Sequence, residues 1–263
     1  MERVAIFNCV STALGMLKFS SESLIQNAGT TEFDYYIVTW RPSDEVLQYT
    51  LFLIDKYPHI VRHVRHEEIP GIAYVPQLRA MMNTGFQACI DDGMTKHKWI
   101  GMVNTDMYFG KDWLINLTKH LKYGTNIIVN SLHMTRTPHP QHITVDLGVT
   151  EAGKFKHDEF NKLYDQHYKE DFVEAEKDGD WRAINTMPYL FHKKYWRVAG
   201  PWELNQGSPD TPDVRFFERC HAAGARFIKA HDSIVYHMEA AERTGQHAEK
   251  TQPGLEASTM YAE

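Results

Sequence analysis

The run Lys98-Trp-Ile-Gly-Met-Val-Asn104-Thr-Asp106-Met-Tyr-Phe-Gly110 constrains this chain more than any other. Trp99 to Val103 is a short apolar stretch with aromatic and β-branched members, bounded by polar turn residues. That length and composition predict a buried strand rather than a helix. At its carboxyl end stand Asn104 and Asp106, and from Lys111 an amphipathic helical pattern begins. In an open α/β sheet, the carboxyl ends of the central strands are where ligands bind. Two oxygen-bearing side chains spaced i, i+2 suit a hard divalent cation that carries a diphosphate, magnesium or manganese. The same spacing also suits a strand-to-helix turn whose polar side chains cap backbone groups. From these residues alone both readings stand.

The rest of the composition bounds the class. The chain has 263 residues, 43% hydrophobic and 24% charged, enough for one large α/β domain with a full core. Its formal charge of −6 gives no electrostatic footprint for gripping a nucleic-acid backbone. Cys9, Cys89 and Cys220 are far apart and form no Cys-x-x-Cys pair, which argues against zinc or a disulfide framework and for a reducing compartment. Met1 leads directly into strand residues, and no apolar run approaches the roughly 20 residues of a membrane span. The expectation is a soluble, cytoplasmic protein.

Taken in order, Val4 to Val10 reads as a strand, 15–28 as a helix, Tyr35 to Thr39 as a strand, Glu45 to Tyr57 as a helix stopped by Pro58, and Ile60 to Val64 as a strand. Such alternation predicts parallel pairing with right-handed crossovers, a doubly wound half. Leu78 to Asp91 is a third helix, delivering the chain into the Trp99 strand. Then come a helix to about Leu121, a strand over 126–131, and possible strand character again over Val145 to Val149. The histidines between positions 133 and 142 have irregular, proline-rich spacing, which favours a surface loop over a metal cluster. From Phe155 to Arg182 charged and aromatic residues predict a partly buried helical insertion. Strand character returns over Ala183 to Phe191, followed by a short helix to Gly200, a turn-rich loop to Asp213, and a helix over Val214 to Ala223. Two short strands, Ala225 to Ala230 and Ser233 to Tyr236, close the fold, and the tail from about 241 is polar. No internal repeat of solenoid length is present.

With these elements in order, the chain resembles the family 2 type of GT-A glycosyltransferases. Asn104-Thr-Asp106 stands where that family carries Asp-x-Asp. Met82-Asn83-Thr-Gly85 is similar to its Arg-Asn-x-Gly stretch, and Gly200-Pro-Trp-Glu203 to its Gly-Gly-Phe-Asp loop. Pro212-Asp213 followed by Arg219 is similar to the Glu-Asp and later Arg of the acceptor helix. Ala223-Gly-Ala-Arg-Phe and Ser233-Ile-Val-Tyr-His237 resemble its closing pattern. The resemblance covers most of residues 1–240, leaving an insertion at about 150–182 and the tail at 241–263. It implies a GT-A-type doubly wound, Rossmann-like mixed sheet flanked by helices. The donor half is then about 1–125 and the acceptor half about 126–240.

The resemblance also implies a chemistry: transfer of a sugar from a UDP- or GDP-sugar to an acceptor hydroxyl, assisted by Mn2+ or Mg2+. Asp106, with His237 and Asn104, would hold the cation. The donor would lie over Cys9, Val10, Ser11, Thr39, Trp40 and Arg41, with Asn83 and Thr105 close by. Trp40 is equally readable as a core aromatic. Trp202 and Glu203 would meet sugar, and Asp213 would be the base of an inverting reaction, with Asp210 as runner-up. Two departures matter. Asn104 replaces an acid and removes one negative charge, which predicts weaker cation binding. Pro212 replaces the usual Glu before the base. A nucleotidyltransferase and a non-catalytic nucleotide-sugar-binding module are the competing classes. The Ser11-Thr-Ala-Leu-Gly15 turn is too poor in Gly and Lys for the first. The acceptor, whether a glycan, a small molecule or a modified DNA base, is left open, as are the sugar and the oligomeric state.

Overall fold

The computed structural model describes residues 3–91, 97–136, 138, 142–148, 154–175, 181, 187–204 and 212–238. Asp210 and the polar tail lie outside them. The amino-terminal half alternates as its apolar periodicity requires: β1 (Val4–Val10), α1 (Leu14–Gln26), β2 (Phe33–Thr39), α2 (Asp44–Lys56), β3 (Val61–Arg65), α3 (Tyr74–Asp91) and β4 (Trp99–Met102). Every residue of β2 is buried, as expected for a strand covered on both faces. The Ser43 side chain accepts from the Val46 amide at the start of α2, and Asp44 and Glu45 add charge to the first turn.

Beyond β4 the chain runs through β5 (Met107–Phe109), α4 (Trp113–Lys119), a 3-10 turn (His120–Tyr123), β6 (Ile127–Thr135) and β7 (Ile143–Thr144). It continues with α5 (His157–His167), β8 (Phe172–Glu174), β9 (Tyr189–His192), α6 (Lys194–Ala199), α7 (Pro212–Ala222) and β10 (Arg226–His237). All ten strands join one mixed sheet in the order β3-β2-β1-β4-β9-β6-β10-β5, with β7 beside β6 and β8 beside β10. The first four of that order are parallel, and β9 is antiparallel to both β4 and β6. The doubly wound parallel half is what the order of elements predicts, and the mixed GT-A-like sheet is what the resemblance implies.

One face of the sheet packs on α1, α2 and α4 through Leu17, Leu24, Leu53, Trp113 and Leu117. The other packs on α3, α6 and α7 through Phe86, Trp196, Phe216 and Phe217. Beneath β1 and β2, the fully buried Asp34 is ringed by Arg3, Arg62 and His97. Burial alone would raise its pKa, but the hydrogen bonds from His97 and Arg3 win and hold it down at about 2.

Three expectations are corrected. The two closing strands are one 12-residue strand with a register shift between Ala230 and Ile234. The polar His231-Asp232-Ser233 that suggests a break is absorbed by partners: His231 meets Asp171, Asp232 meets His120, and Ser233 donates to the Trp113 carbonyl. The insertion is not wholly helical, since β8 adds an edge strand to β10. His133, placed by spacing in a surface loop, is instead a buried residue of β6. Of the stretch Val145 to Val149, Val149 lies outside the described residues, and strand geometry falls just before the others, at β7.

Gly85 shows how closely α3 lies on the sheet. A Cβ at this position would run into the Phe7 ring of β1. Gly85→Ala should therefore cost about 1–3 kcal/mol, as overpacking does. A urea melt checks this: an unchanged midpoint would mean that the helix shifts freely.

Candidate functional site

The site assembles at the carboxyl end of β4, and β5 is what completes it. This short strand pairs antiparallel with β10, with His237 opposite Met107. The ladder continues one step beyond, the Met238 amide donating to the Asp106 carbonyl at 2.9 Å. That register brings two residues 131 positions apart in sequence together: His237 Nε2 lies 3.2 Å from Asp106 Oδ1. Asn104 Nδ2 lies 3.4 Å from the same ring nitrogen. The Asp106 and His237 side chains are 15% and 22% exposed, so the group is reachable from solvent yet shielded on most sides.

Among the described residues, no group of three or more His, Cys, Asp or Glu stands together as a metal cage. One carboxylate, one imidazole and an amide carbonyl are what Asp106, His237 and Asn104 offer. That incomplete set fits a magnesium- or manganese-type ion that takes its remaining ligands from substrate phosphates and water. A half-turn of the Asn104 amide would present its oxygen to such an ion; the O and N positions are nearly equal in shape.

Sequence reasoning missed the histidines beside this group. The His133 ring lies 4.9 Å from that of His142 and 5.9 Å from that of His237, measured between centroids. Burial first, and then the charges of His142, His237 and Lys229, push the His133 pKa well below its ordinary value. The direction of that shift favours the neutral ring beside His237. The available signal was strand alternation: His133 sits two residues from Thr135, the register partner of His237, so both rings share a face.

The donor-side candidates lie at the ends of β1 and β2. Val10 is buried, while Cys9 and Ser11 are partly buried. The Thr39 hydroxyl pairs with His63 Nε2 at 2.8 Å. Trp40 is only 6% exposed and packs against Tyr74, so it is a core aromatic at the edge of the site. Arg41 has a left-handed backbone with φ of 45°, and its guanidinium is held by Glu68 through two hydrogen bonds of 2.8 Å. Phosphate would have to compete with that carboxylate. Thr105 is buried.

The acceptor-side loop, Gly200 to Glu203, is gripped from both sides. Asn83 on α3 donates through Nδ2 to the Trp202 carbonyl at 2.9 Å and accepts from the Trp202 amide at 2.8 Å. Both ends of its amide are thereby engaged in tying α3 to this loop. Glu203 is held by Arg215 and Arg219 of α7. Arg219 also donates to the Ala199 and Pro201 carbonyls. Asn83 and Glu203 thus have structural tasks where the motif suggests ligand contact. Trp202 is buried, its ring against Phe86.

Asp213 is in the first turn of α7 behind Pro212, which begins the helix. It is therefore not the N-cap that its position before Val214 suggests, and Pro212 occupies the first helical place that proline favours. Burial, and after it the charge of Asp213, push the Tyr189 phenol far upward. The Tyr189 hydroxyl lies 3.7 Å from Met102 Sδ, two residues before Asn104.

A solved structure with the same fold is the crystal structure of GalNAc-T7 with UDP, GalNAc and Mn2+. The TM-score is 0.58 at 9% sequence identity, over 89% of this chain and 43% of that one. The chain thus spans less than half the length of that protein. No protein-family model matches the sequence, and no curated protein matches it. The class that fold and comparison define together is a mixed α/β protein with a GT-A-like, Rossmann-type sheet. No helix among the described residues is long and apolar enough to cross a membrane.

Proposed function

We propose that this chain is a metal-assisted glycosyltransferase that moves a sugar from a nucleoside-diphosphate sugar to an acceptor hydroxyl. The observation that carries the reading is the meeting of Asp106 and His237 at the carboxyl end of the central strands. The likeness to a structure whose ligands are UDP, GalNAc and Mn2+ supports it. In this reading residues 1–125 hold the donor and 126–240 the acceptor, and cysteines not joined in disulfides, Cys9, Cys89 and Cys220, suit action in the cytoplasm.

Asp106, His237 and Asn104 would hold the cation against the donor diphosphate. When bound, the ion supplies Lewis-acid stabilisation of the negative charge that grows on the leaving phosphate. The chain's own residues do the rest. The ends of β1 and β2 seat the nucleoside, and the Asn83 and Arg219 grips hold the Trp202 loop still, so that the acceptor meets a fixed wall. Asp213 takes the proton of the acceptor hydroxyl as the new bond forms, giving an inverting reaction. The second reading, a non-catalytic nucleotide-sugar-binding module, draws on Asn104, which leaves the cation position one charge poorer.

Titration of UDP and GDP into the protein, with and without MnCl2, tests the shared part of both readings. Binding of one nucleotide should tighten at least about tenfold with the ion, roughly 1.4 kcal/mol. Release of that nucleotide from its sugar conjugates separates enzyme from module. Binding that ignores the ion would remove the assignment of Asp106 and His237.

A further inference from the structure

On the α4 side of the sheet, away from the cation position, is a cleft of about 470 Å³. Its volume is in the range of small-ligand sites. Tyr123 and Phe172 form its apolar wall with centroids 5.0 Å apart, and Tyr123 is 42% exposed. His120 lies against both rings, at 6.1 Å from Tyr123 and 5.5 Å from Phe172. The His120 ring is buried, and its Nε2 is 2.8 Å from Asp232 Oδ1. Asp232 accepts that bond from Nε2, and Nδ1 is the second polar atom of the ring. This Nδ1 is buried and makes no hydrogen bond. Buried polar atoms usually have partners, so one left over on a residue that lines a cleft draws attention to that cleft.

The charges of the lining narrow the ligand. Lys119 and Lys122 face Glu170, Asp171 and Asp232. Asp171 is already engaged by His231 at 2.6 Å, and Lys122 lies over the Tyr123 ring. A phosphate or other anion would meet more carboxylates than ammonium groups, and a purely apolar ligand would bury five charged neighbours. A neutral polyhydroxylated ring fits both demands: C–H faces for the aromatic wall, and hydroxyls that donate to carboxylates and accept from lysines. A smaller cleft of about 280 Å³, with Tyr164 and Tyr168 in its lining, lies alongside. The two are joined through Asn116, which lines the smaller one and hydrogen-bonds both the Asp232 carbonyl and Lys119.

We infer that this cleft is a second carbohydrate site, in which a neutral sugar ring lies against the exposed part of Tyr123 and its hydroxyls meet the carboxylates and lysines of the lining. Asp232 precedes His237 by five residues on β10, on the order of 15 Å along an extended chain, so the site is distinct from the cation position. A glycan chain held here would be gripped at a point remote from any reacting hydroxyl. The inference does not depend on the proposed transfer.

Saturation-transfer NMR on the full chain with lactose, N-acetyllactosamine, maltose and cellobiose tests it. At least one disaccharide should receive saturation and give a dissociation constant in the millimolar range. Tyr123→Ala should weaken that binding at least tenfold with an unchanged melting temperature, while Tyr123→Phe, which keeps the ring, stays within about twofold. Asp106→Ala should leave it unchanged, which separates this site from the failure or success of the transferase reading. Silence from all four sugars would overturn the inference, as would binding that survives Tyr123→Ala or that disappears with Asp106→Ala.

Discussion

If the proposed transfer is right, Asp106→Ala is expected to lower it by at least about 10³-fold, because it removes the carboxylate assigned to the cation. Preorganised charge at a leaving group is commonly the largest single contribution to such reactions, and loss of one stabilising group costs about 10²–10³-fold even where no ion is involved. The fold should survive. The ladder bond at this residue runs from Met238 to the backbone carbonyl, which alanine retains. Two measurements are needed side by side: the melting temperature, which should move little, and manganese-dependent nucleotide binding, which should be lost. In the same titration Asn104→Asp should move the other way and tighten manganese binding when UDP is present, since it restores a charge near His237. A folded Asp106→Ala protein with normal turnover would sink the reading of this site.

Much of the fold could be read directly from the amino-acid pattern, and the reason is local. β1, β2 and β4 are short, largely apolar runs between turn residues, β3 is a short valine-containing stretch after Pro58, and α1, α2 and α3 carry a helical period, so each announces itself within a dozen positions. What could not be read depends on pairing between distant segments. Met107–Phe109 is too short to register as a strand until β10 lies beside it, and β10 itself looks broken at His231-Asp232 until their partners Asp171 and His120 are in place. His133 illustrates the same limit: proline-rich neighbours suggest a loop, whereas a central position in the sheet makes it a buried strand residue. The site divides along the same line. Asn104 and Asp106 are legible because they end a strand, and His237 because it ends the last one. The tasks of Asn83 and Glu203 are not, since a side-chain amide that grips a backbone 119 residues away leaves no mark in its own neighbourhood. Motif likeness points to ligand contact at these positions, while the geometry gives them the work of holding the Trp202 loop.

The other large effect is expected at Asp213. If this carboxylate takes the proton from the acceptor hydroxyl, Asp213→Asn should reduce transfer by about 10²–10⁴-fold, the range for loss of a general base. The helix should tolerate the change. Asp213 is in the first turn of α7, so asparagine forfeits the favourable charge at the helix start, about 0.3–1 kcal/mol. Donor binding should be retained, because the proposed cation ligands are elsewhere: Asp106 in the turn between β4 and β5 and His237 at the end of β10, not on α7. The neighbouring phenol gives an independent readout. Tyr189 is pushed upward by burial and then by the Asp213 charge, so neutralising position 213 should bring the Tyr189 pKa down even in a protein that has lost its activity. Asp210→Asn is the comparator, expected to cost little if Asp213 is the base. Glu203→Gln is a second comparator of a different kind. It should loosen the loop held by Arg215 and Arg219 and lower the melting temperature, with activity falling only as far as the loop moves. Turnover, melting temperature and nucleotide affinity, measured on all three, decide the matter. A large loss at position 210 with near-normal activity at 213 would move the base to Asp210. Near-normal activity at both, with UDP still released from its sugar conjugate, would mean that neither carboxylate takes the acceptor proton and that the reaction does not follow a single inverting displacement.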